Sequence, residues 1–234
     1  FQMRSRRISM VRLDVWLVEH GFFSSRQTAK RAIRAGTVLL NGKAAKPSSR
    51  VKPSDSVVVS EKALDRPSGY WKLKQIDEFL GESSFVKPRA RVLDIGSSAG
   101  GFVQYLYEHG VCVVGVEVSP EFIAHLRALT SSMDHVRIVQ ADAFKIDPAE
   151  LGGQGQFDAI LIDVTTSPEG TMTLIKKYLG LLRNPGTMVV AFKTKPAPDV
   201  TAILVHRLEA LNLSCRPITL SESRHEVHIV AFRT

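Results

Sequence analysis

The stretch Arg91-Val-Leu-Asp-Ile-Gly-Ser-Ser-Ala-Gly-Gly-Phe102 decides the architecture of this chain. Val92, Leu93 and Ile95 form an apolar run that carries one acid, Asp94. The run breaks into Gly96-Ser-Ser-Ala-Gly-Gly101, and an amphipathic segment over 102–109 follows. This pattern predicts a strand, a tight glycine-rich turn and a helix. Glycines there let the backbone approach a ligand, and a helix N-terminus offers N–H groups without intrahelical partners. A glycine-rich turn also serves as a plain strand-to-helix connection, so the flanking segments must decide between the two.

Downstream the alternation continues. Residues 111–116 read as a buried strand ending in Glu117, and 120–129 as a helix with Pro120 in its first turn. Residues 136–139 are a strand followed by Asp142-Ala143-Phe144, and 157–162 a strand ending in Asp163. A helix over 169–182, a turn at Asn184-Pro-Gly186 and a strand over 187–192 ending in Lys193 come next. A helix over 199–211 precedes two strands, 213–220 and 226–232, with no helix between them. The reading is an α/β class with a seven-stranded, mostly parallel sheet and an antiparallel hairpin at one edge.

Ligands of such sheets bind beyond the carboxyl ends of the strands. Asp94, Gly96, Glu117, Asp142, Asp163 and Lys193 all fall there. Charge at strand ends costs desolvation unless it serves something. An acid about 20 residues after the glycine-rich turn, Glu117, suits a ribose hydroxyl pair. Asp142, beside Ala143 and Phe144, suits an adenine amino group against an apolar wall. A dinucleotide fingerprint would need Gly-x-Gly-x-x-Gly, which Gly96, Gly100 and Gly101 do not supply.

Charge divides the chain. Residues 1–66 hold 14 Lys and Arg against 5 Asp and Glu, while the remainder holds 17 against 18. The whole excess of +8 therefore sits in the first quarter, which implies a nucleic-acid-facing module joined to a near-neutral one. Within it, 12–19 and 25–35 read as helices, Val38 to Leu40 and 57–60 as strands, and Asn41-Gly42 as a type I′ turn. Arg26, Lys30, Arg31 and Arg34 share one side of the second helix, a row that can track phosphates, while Ala29, Ala32 and Ile33 take the other. Residues 63–71 read as a linker, and 70–80 as an amphipathic helix with Leu73, Ile76, Phe79 and Leu80 inward. Phe1-Gln2 ahead of Met3 reads as a remnant of a purification tag. The two cysteines, in apolar runs, fit a reducing cytoplasm, and no apolar run approaches the roughly 18 residues of a membrane span. His109, His125 and His206 lack ligand-like spacing, so no metal is expected.

Particular residues carry resemblances to known families. Leu13-Asp14, Ser25-Arg26, Ala29, Ile33, Gly36, Val38, Asn41-Gly42, Lys46-Pro47 and Asp55 resemble the S-four RNA-binding domain, or alpha-L motif. That resemblance implies a small α+β domain over 3–62 whose RNA-facing residues are Ser25, Arg26, Lys30, Arg31, Arg34, Asn41 and Lys43. The series Asp94-x-Gly96-x-x-x-Gly100-Gly101, Glu117 and Asp142 resembles a Rossmann-like S-adenosylmethionine-dependent methyltransferase over 72–234. It implies that Asp94, Gly96, Ser98, Gly100, Gly101 and Phe102 cradle the methionine end, with Glu117 on the ribose and Asp142, Ala143 and Asp163 completing the set. Lys72, Asp163, Lys193 and Glu226, the last in Ser223-Arg-His-Glu-Val-His-Ile-Val230, match the Lys-Asp-Lys-Glu tetrad of FtsJ-like ribose 2′-O-methyltransferases. Joined to an S-four domain, the whole is similar to the TlyA (hemolysin-like) family acting on ribosomal RNA, with ribosomal RNA or subunits as the implied partner. The chain departs from the FtsJ pattern at Ser97-Ser-Ala, where Ala-Ala-Pro is usual, and at Val164-Thr-Thr.

The chemistry sets an expectation for the tetrad. A ribose hydroxyl attacks well only as its proton leaves, so a base is needed. Lysine, with a pKa of about 10.4, is too weakly acidic unless neighbouring positive charge lowers it. Two lysines and a sulfonium in one pocket are expected to do so, making Lys193 the base, Asp163 its orienter, and Lys72 and Glu226 the groups that position the hydroxyl. Three other readings compete. A non-catalytic RNA-binding or ribosome-assembly factor would keep the cofactor fold without the reaction. A membrane-active hemolysin would need an amphipathic membrane helix that the sequence lacks. A base-directed RNA methyltransferase would need a catalytic Cys or an Asn-Pro-Pro-Tyr type motif, and the sequence has no such motif.

Overall fold

In the computed structural model, residues 10–23, 25–60, 66–220 and 225–234 are described. Met3, Ser24, Ser223, Arg224 and the first part of the expected linker lie outside the described residues. The chain divides between Arg66 and Pro67 into two compact units.

The first unit opens with β1 (Val11–Arg12), α1 (Leu13–Glu19) and α2 (Arg26–Arg34), followed by β2 (Val38–Leu40), β3 (Lys43–Ala44), β4 (Arg50–Val51) and β5 (Val57–Val59). Leu13 and Leu17 of α1 meet Ala29, Ala32 and Ile33 of α2 in one small core with Phe23, Val38 and Val51. The helical spacing of those residues is what allows both helices to bury one face. Asn41 and Gly42 both take positive φ, as a two-residue hairpin between Leu40 and Lys43 requires. The antiparallel order is β3-β2-β5, and β1 pairs separately with β4. Those last two strands, each of two residues, have no periodicity for a sequence reading to find.

The second unit is one seven-stranded sheet in the order β11-β12-β10-β9-β6-β7-β8. Its strands are β6 (Arg91–Ile95), β7 (Cys112–Glu117), β8 (Val136–Gln140), β9 (Phe157–Ile162), β10 (Leu182–Phe192), β11 (Ser214–Ile218) and β12 (Val227–Arg233). The five strands β6 to β10 are parallel, and β12 runs antiparallel to both β10 and β11. Helices α3 (Ser68–Leu80), α4 (Gly101–Glu108), α5 (Pro120–Thr130), α6 (Pro168–Tyr178) and α7 (Pro198–Glu209) complete it. Both faces of the central strands are apolar, as a parallel sheet covered on two sides demands. Leu93, Ile95, Ile160, Ile162, Met188 and Val190 pack with α6 and α7. Val92, Ala159, Leu161 and Val189, one residue out of phase, pack with α3 and α4.

Three expectations need correction. Ser68 to Trp71 form the first turn of α3, so the linker does not extend to residue 71. Phe79 is 46% exposed and Tyr70 is buried instead, because the inward stripe of α3 runs through Tyr70, Leu73, Ile76 and Leu80. The strand expected from residue 187 begins at Leu182, so Asn184-Pro-Gly186 lies within β10 at a register shift against β9.

Helices α3 and α4 meet backbone to backbone. A Cβ on Gly101 would lie 2.5 Å from the Tyr70 nitrogen and 2.9 Å from the Gly69 carbonyl carbon. Backbone cannot yield as a side chain does, so Gly101→Ala must push the helices apart. It is expected to cost about 1–3 kcal/mol in urea denaturation, the usual range for overpacking. Gly180→Ala, where the added atom meets nothing within 4 Å, is expected to be neutral.

Candidate functional site

Strand order reverses between β6 and β9. From β6 the chain steps outward through β7 to β8, then returns to β9 on the other side. A crevice opens at such a point, beyond the strand ends. Gly96 (φ +90°) turns there so closely that a Cβ would lie 2.6 Å from the Asp163 carbonyl oxygen. Asp163 N–H in turn donates to the Ile95 carbonyl at 3.1 Å. Ser98 also takes positive φ, 47°, so the loop after β6 folds tightly over the strand ends. Two adjoining clefts result, of about 220 and 350 Å³, and Gly96, Ser98, Asp163 and Thr165 line both.

The smaller cleft is polar, and Lys72, Asp163 and Lys193 of the expected tetrad line it, with Glu226 in contact with both lysines. Lys72 from α3 donates to Glu226 Oε2 at 2.8 Å and to Asp163 Oδ2 at 3.2 Å. Lys193, just past β10, donates to Glu226 Oε1 at 2.7 Å and to Asp163 Oδ1. All four side chains are 17–22% exposed. Two ammoniums and two carboxylates thus close a ring in which each charge meets two of opposite sign. Burial works against the Lys193 ammonium, but the Asp163 charge and then Glu226 outweigh it, holding its pKa above the ordinary lysine value. Contact with His228 foremost, then Lys193 and Lys72, holds Glu226 well below the usual carboxylate range against the cost of burial. In the ligand-free chain, without the sulfonium that the expectation includes, the shift of Lys193 is therefore upward. The carboxylates lie nearer to Lys193 than any other cation does.

The larger cleft has apolar walls from Val118, Phe122, Ala143, Phe144 and Val164. Val118, Phe122 and Phe144 are partly open to solvent, which exposed apolar rings do at a cost unless something flat covers them. Glu117 lines this cleft while accepting from Ser98 N–H at 2.8 Å, Val118 N–H at 2.9 Å and Ser119 N–H at 2.8 Å. It therefore holds the glycine-rich loop as well as facing the cavity. Asp142 Oδ1 accepts from Phe144 N–H at 2.9 Å, and the Tyr178 hydroxyl donates to the Ala143 carbonyl at 2.6 Å, fixing that wall. Gly101 and Phe102 line the smaller cleft, whereas Gly100 lines neither. Its absent Cβ makes room for Leu126 and Leu129 of α5, so that glycine serves packing rather than ligand approach.

Asp94 lies behind the loop, fully buried, and both carboxylate oxygens lack a hydrogen-bond partner among the described residues. A buried acid without a donor is incomplete by itself. A ligand that carries positive charge into the crevice would complete it. The clefts therefore fit a nucleoside, with flat apolar walls, an acid for hydroxyls and an acid for an amino group, while Asp94 is buried behind them and lines neither.

In the first unit the expected RNA face is only partly available. Buried Asp14 takes Arg12 at 3.0 Å, Arg26 at 3.1 Å and Lys30 at 3.9 Å. Ser25 is the N-cap of α2, in a capping box with Thr28. Asn41 is occupied at both ends of its amide, by Asp55 at 3.0 Å and the Ser56 N–H at 2.8 Å. Its amide clamps the hairpin. Arg31, Arg34 and Lys43 are exposed without an ion pair among the described residues. The sequence reading missed three features: the buried Asp14 hub, the contribution of Pro67, Ser68 and Gly69 to the smaller cleft, and His228 behind Glu226. Only the apolar flanks of Asp14 and His228 could have signalled them. No helix among the described residues is long and apolar enough to cross a membrane.

Comparison with known proteins adds a family. The pattern of the FtsJ-like methyltransferase family matches residues 66–233, and that of the S4 domain matches 11–57. The 16S/23S rRNA (cytidine-2′-O)-methyltransferase TlyA of Mycobacterium tuberculosis is 28% identical over 159 residues, covering 66% of this chain and 56% of that protein. The 23S rRNA (uracil(1939)-C(5))-methyltransferase RlmD of Thiobacillus denitrificans is 30% identical over 92 residues, covering 38% of this chain and 21% of that protein. The chain thus spans between about a fifth and a little over half the length of the curated relatives it matches. Among solved structures, Aeropyrum pernix fibrillarin with natively bound S-adenosyl-L-methionine shares the fold at a TM-score of 0.59, with 20% identity over 70% of this chain and 75% of that one.

Asp94 makes stability depend on pH in a testable way. Burial, with the charges of Asp163 and Glu117 adding, pushes it up to about 7 from the ordinary 3.8. A raised folded-state pKa contributes stability that is whole below the unfolded value and is lost as pH rises through about 7. Asp94→Asn is therefore expected to stabilise the ligand-free chain at pH 8, by up to about 4 kcal/mol, and to leave it unchanged near pH 4. Denaturation at the two pH values reads the difference.

Proposed function

The chain belongs to the FtsJ-like methyltransferase family, and from that premise we propose that it methylates a ribose 2′-hydroxyl of RNA, with S-adenosylmethionine as donor and ribosomal RNA as substrate. The ring of Lys72, Asp163, Lys193 and Glu226 beside a nucleoside-sized cleft carries this reading. Glu117 would take the donor's ribose, Asp142 and the Phe122 and Phe144 walls its adenine, and the loop from Gly96 to Phe102, with Asp94 behind it, the methionine end. S-adenosylmethionine, when bound, supplies a methyl carbon open to attack by an oxygen nucleophile.

The chain's residues supply orientation and proton handling. Asp163 and Glu226 fix both ammoniums in space, so a hydroxyl entering the smaller cleft meets donors already aligned. Orientation of this kind contributes roughly 7–11 kcal/mol in favourable systems. Lys72 holds the hydroxyl oxygen by a hydrogen bond. Lys193 accepts the departing proton in its neutral form, which the carboxylates make scarce at neutral pH. A base-directed reaction through a cysteine has no support at this site, since neither Cys112 nor Cys215 lines either cleft. Exposed Arg31, Arg34 and Lys43 in the first unit offer phosphate contacts, consistent with an RNA partner.

Lys193→Ala and Asp163→Ala are each expected to lower methyl incorporation into ribosomal RNA by at least about 100-fold, with S-adenosylmethionine binding by Lys193→Ala retained in calorimetry. The product should appear in alkali-resistant dinucleotides, which a ribose methyl protects and a base methyl does not. Because Lys193 must lose a proton first, log kcat/KM is expected to rise with pH from about 6 to about 9 without a plateau. A profile flat over that range would assign Lys193 to hydrogen-bond donation instead.

A further inference from the structure

His228 is buried, 3% exposed, and neither ring nitrogen has a hydrogen-bond partner among the described residues. A buried polar ring without partners is costly, and an apolar side chain of its size would fill the space without that cost. Its surroundings supply a reason. β12 lies between β10 and β11, with His228 opposite Ala191 on one side and Ile218 on the other. Extending the register by one residue beyond the pair Phe192 and Val227 sets Lys193 opposite Glu226. Glu226 and His228, two residues apart, point to the same face of the sheet. The ring's Nε2 comes to 3.2 Å from Glu226 Oε2, the oxygen that also receives Lys72 at 2.8 Å.

We propose that His228 is a positioning residue of the tetrad, a buried prop that fixes the Glu226 carboxylate so that one oxygen meets Lys72 and the other Lys193. The constraint is geometric. Glu226 must present its two oxygens to two ammoniums at once, and rotation of the carboxylate would open one contact. The imidazole, buried on one face of β12, supplies a polar surface on the Oε2 side. Its influence on Glu226, the largest of any neighbour, agrees with that contact. The inference rests on the reading of the tetrad as the site of methyl transfer.

The test uses the full chain. His228→Phe keeps a ring of similar size and removes its nitrogens, and His228→Gln returns a polar donor. In His228→Phe the melting temperature, S-adenosylmethionine affinity and KM for RNA are expected to stay near wild type, while kcat falls about 10- to 100-fold, as for a misplaced catalytic group. His228→Gln is expected to recover most of that loss. Unchanged kcat in His228→Phe, a loss matched by weaker cofactor binding, or no recovery in His228→Gln overturns the proposal. If the wild-type chain methylates no RNA, the functional reading fails, and the ring ¹⁵N spectrum of the ligand-free chain decides this one. Glu226→Gln must then move the His228 signals, and signals that stay in place overturn the proposal. The same spectrum decides if His228→Phe does not fold.

Discussion

The approach of Gly96 to the Asp163 carbonyl is the contact on which the site depends. Two parallel strands leave the sheet in opposite directions there, and the loop after β6 must turn before it meets the end of β9. With a Cβ at 2.6 Å from a backbone oxygen, no other residue fits without moving a strand. The turn that glycine permits brings Ser98 and Gly101 over the crevice and lets Asp163 line both clefts. On the far side of the loop, Gly101 makes a second backbone contact with α3, the helix that delivers Lys72. Two glycines thus set the distance between the nucleoside cleft and the tetrad.

Charge is arranged differently on the two sides of that loop. The tetrad is balanced within the protein, two ammoniums against two carboxylates, and stands ready without a ligand. Asp94 is not balanced, and its burial without donors disfavours the folded chain at neutral and alkaline pH. Balance also has a consequence for the reaction. The carboxylates that align Lys193 also hold its proton, so orientation is gained at the expense of the neutral form that can accept one.

The first unit applies the same physics at its surface. Asp14 sits at the centre of three cations and has no exposure, while Arg12, Arg26 and Lys30 keep much of theirs. A buried acid under a basic face pins some of the side chains that a phosphate would otherwise order at entropic cost. Arg31 and Arg34 are exposed without an ion pair among the described residues, so the row of four that the helical spacing displays is two paired cations and two unpaired ones.

Much of this was legible in the sequence, for a physical reason. Strand and helix periodicity, positive-φ glycines and the charge division between residues 1–66 and the remainder are local properties, and they determined the two units, the order of elements and a site beyond the strand ends, while the crevice between β6 and β9 came from the sheet order. The tetrad was readable because its members stand at strand ends or in recognisable short contexts. What only the tertiary structure decided are properties of juxtaposition. Whether Lys193 lies nearer to a cation or to two acids sets the sign of its shift, and residues 30 and 33 positions away supply those acids. Phe79 lies exposed and Tyr70 buried because the face that α3 turns inward runs through Tyr70, Leu73, Ile76 and Leu80, where its backbone also meets Gly101. Asn41 and Gly100 carry motif positions but spend their chemistry on a hairpin and on α5. His228 acquires a role only because β12 inserts between β10 and β11, a pairing that depends on the whole sheet having formed.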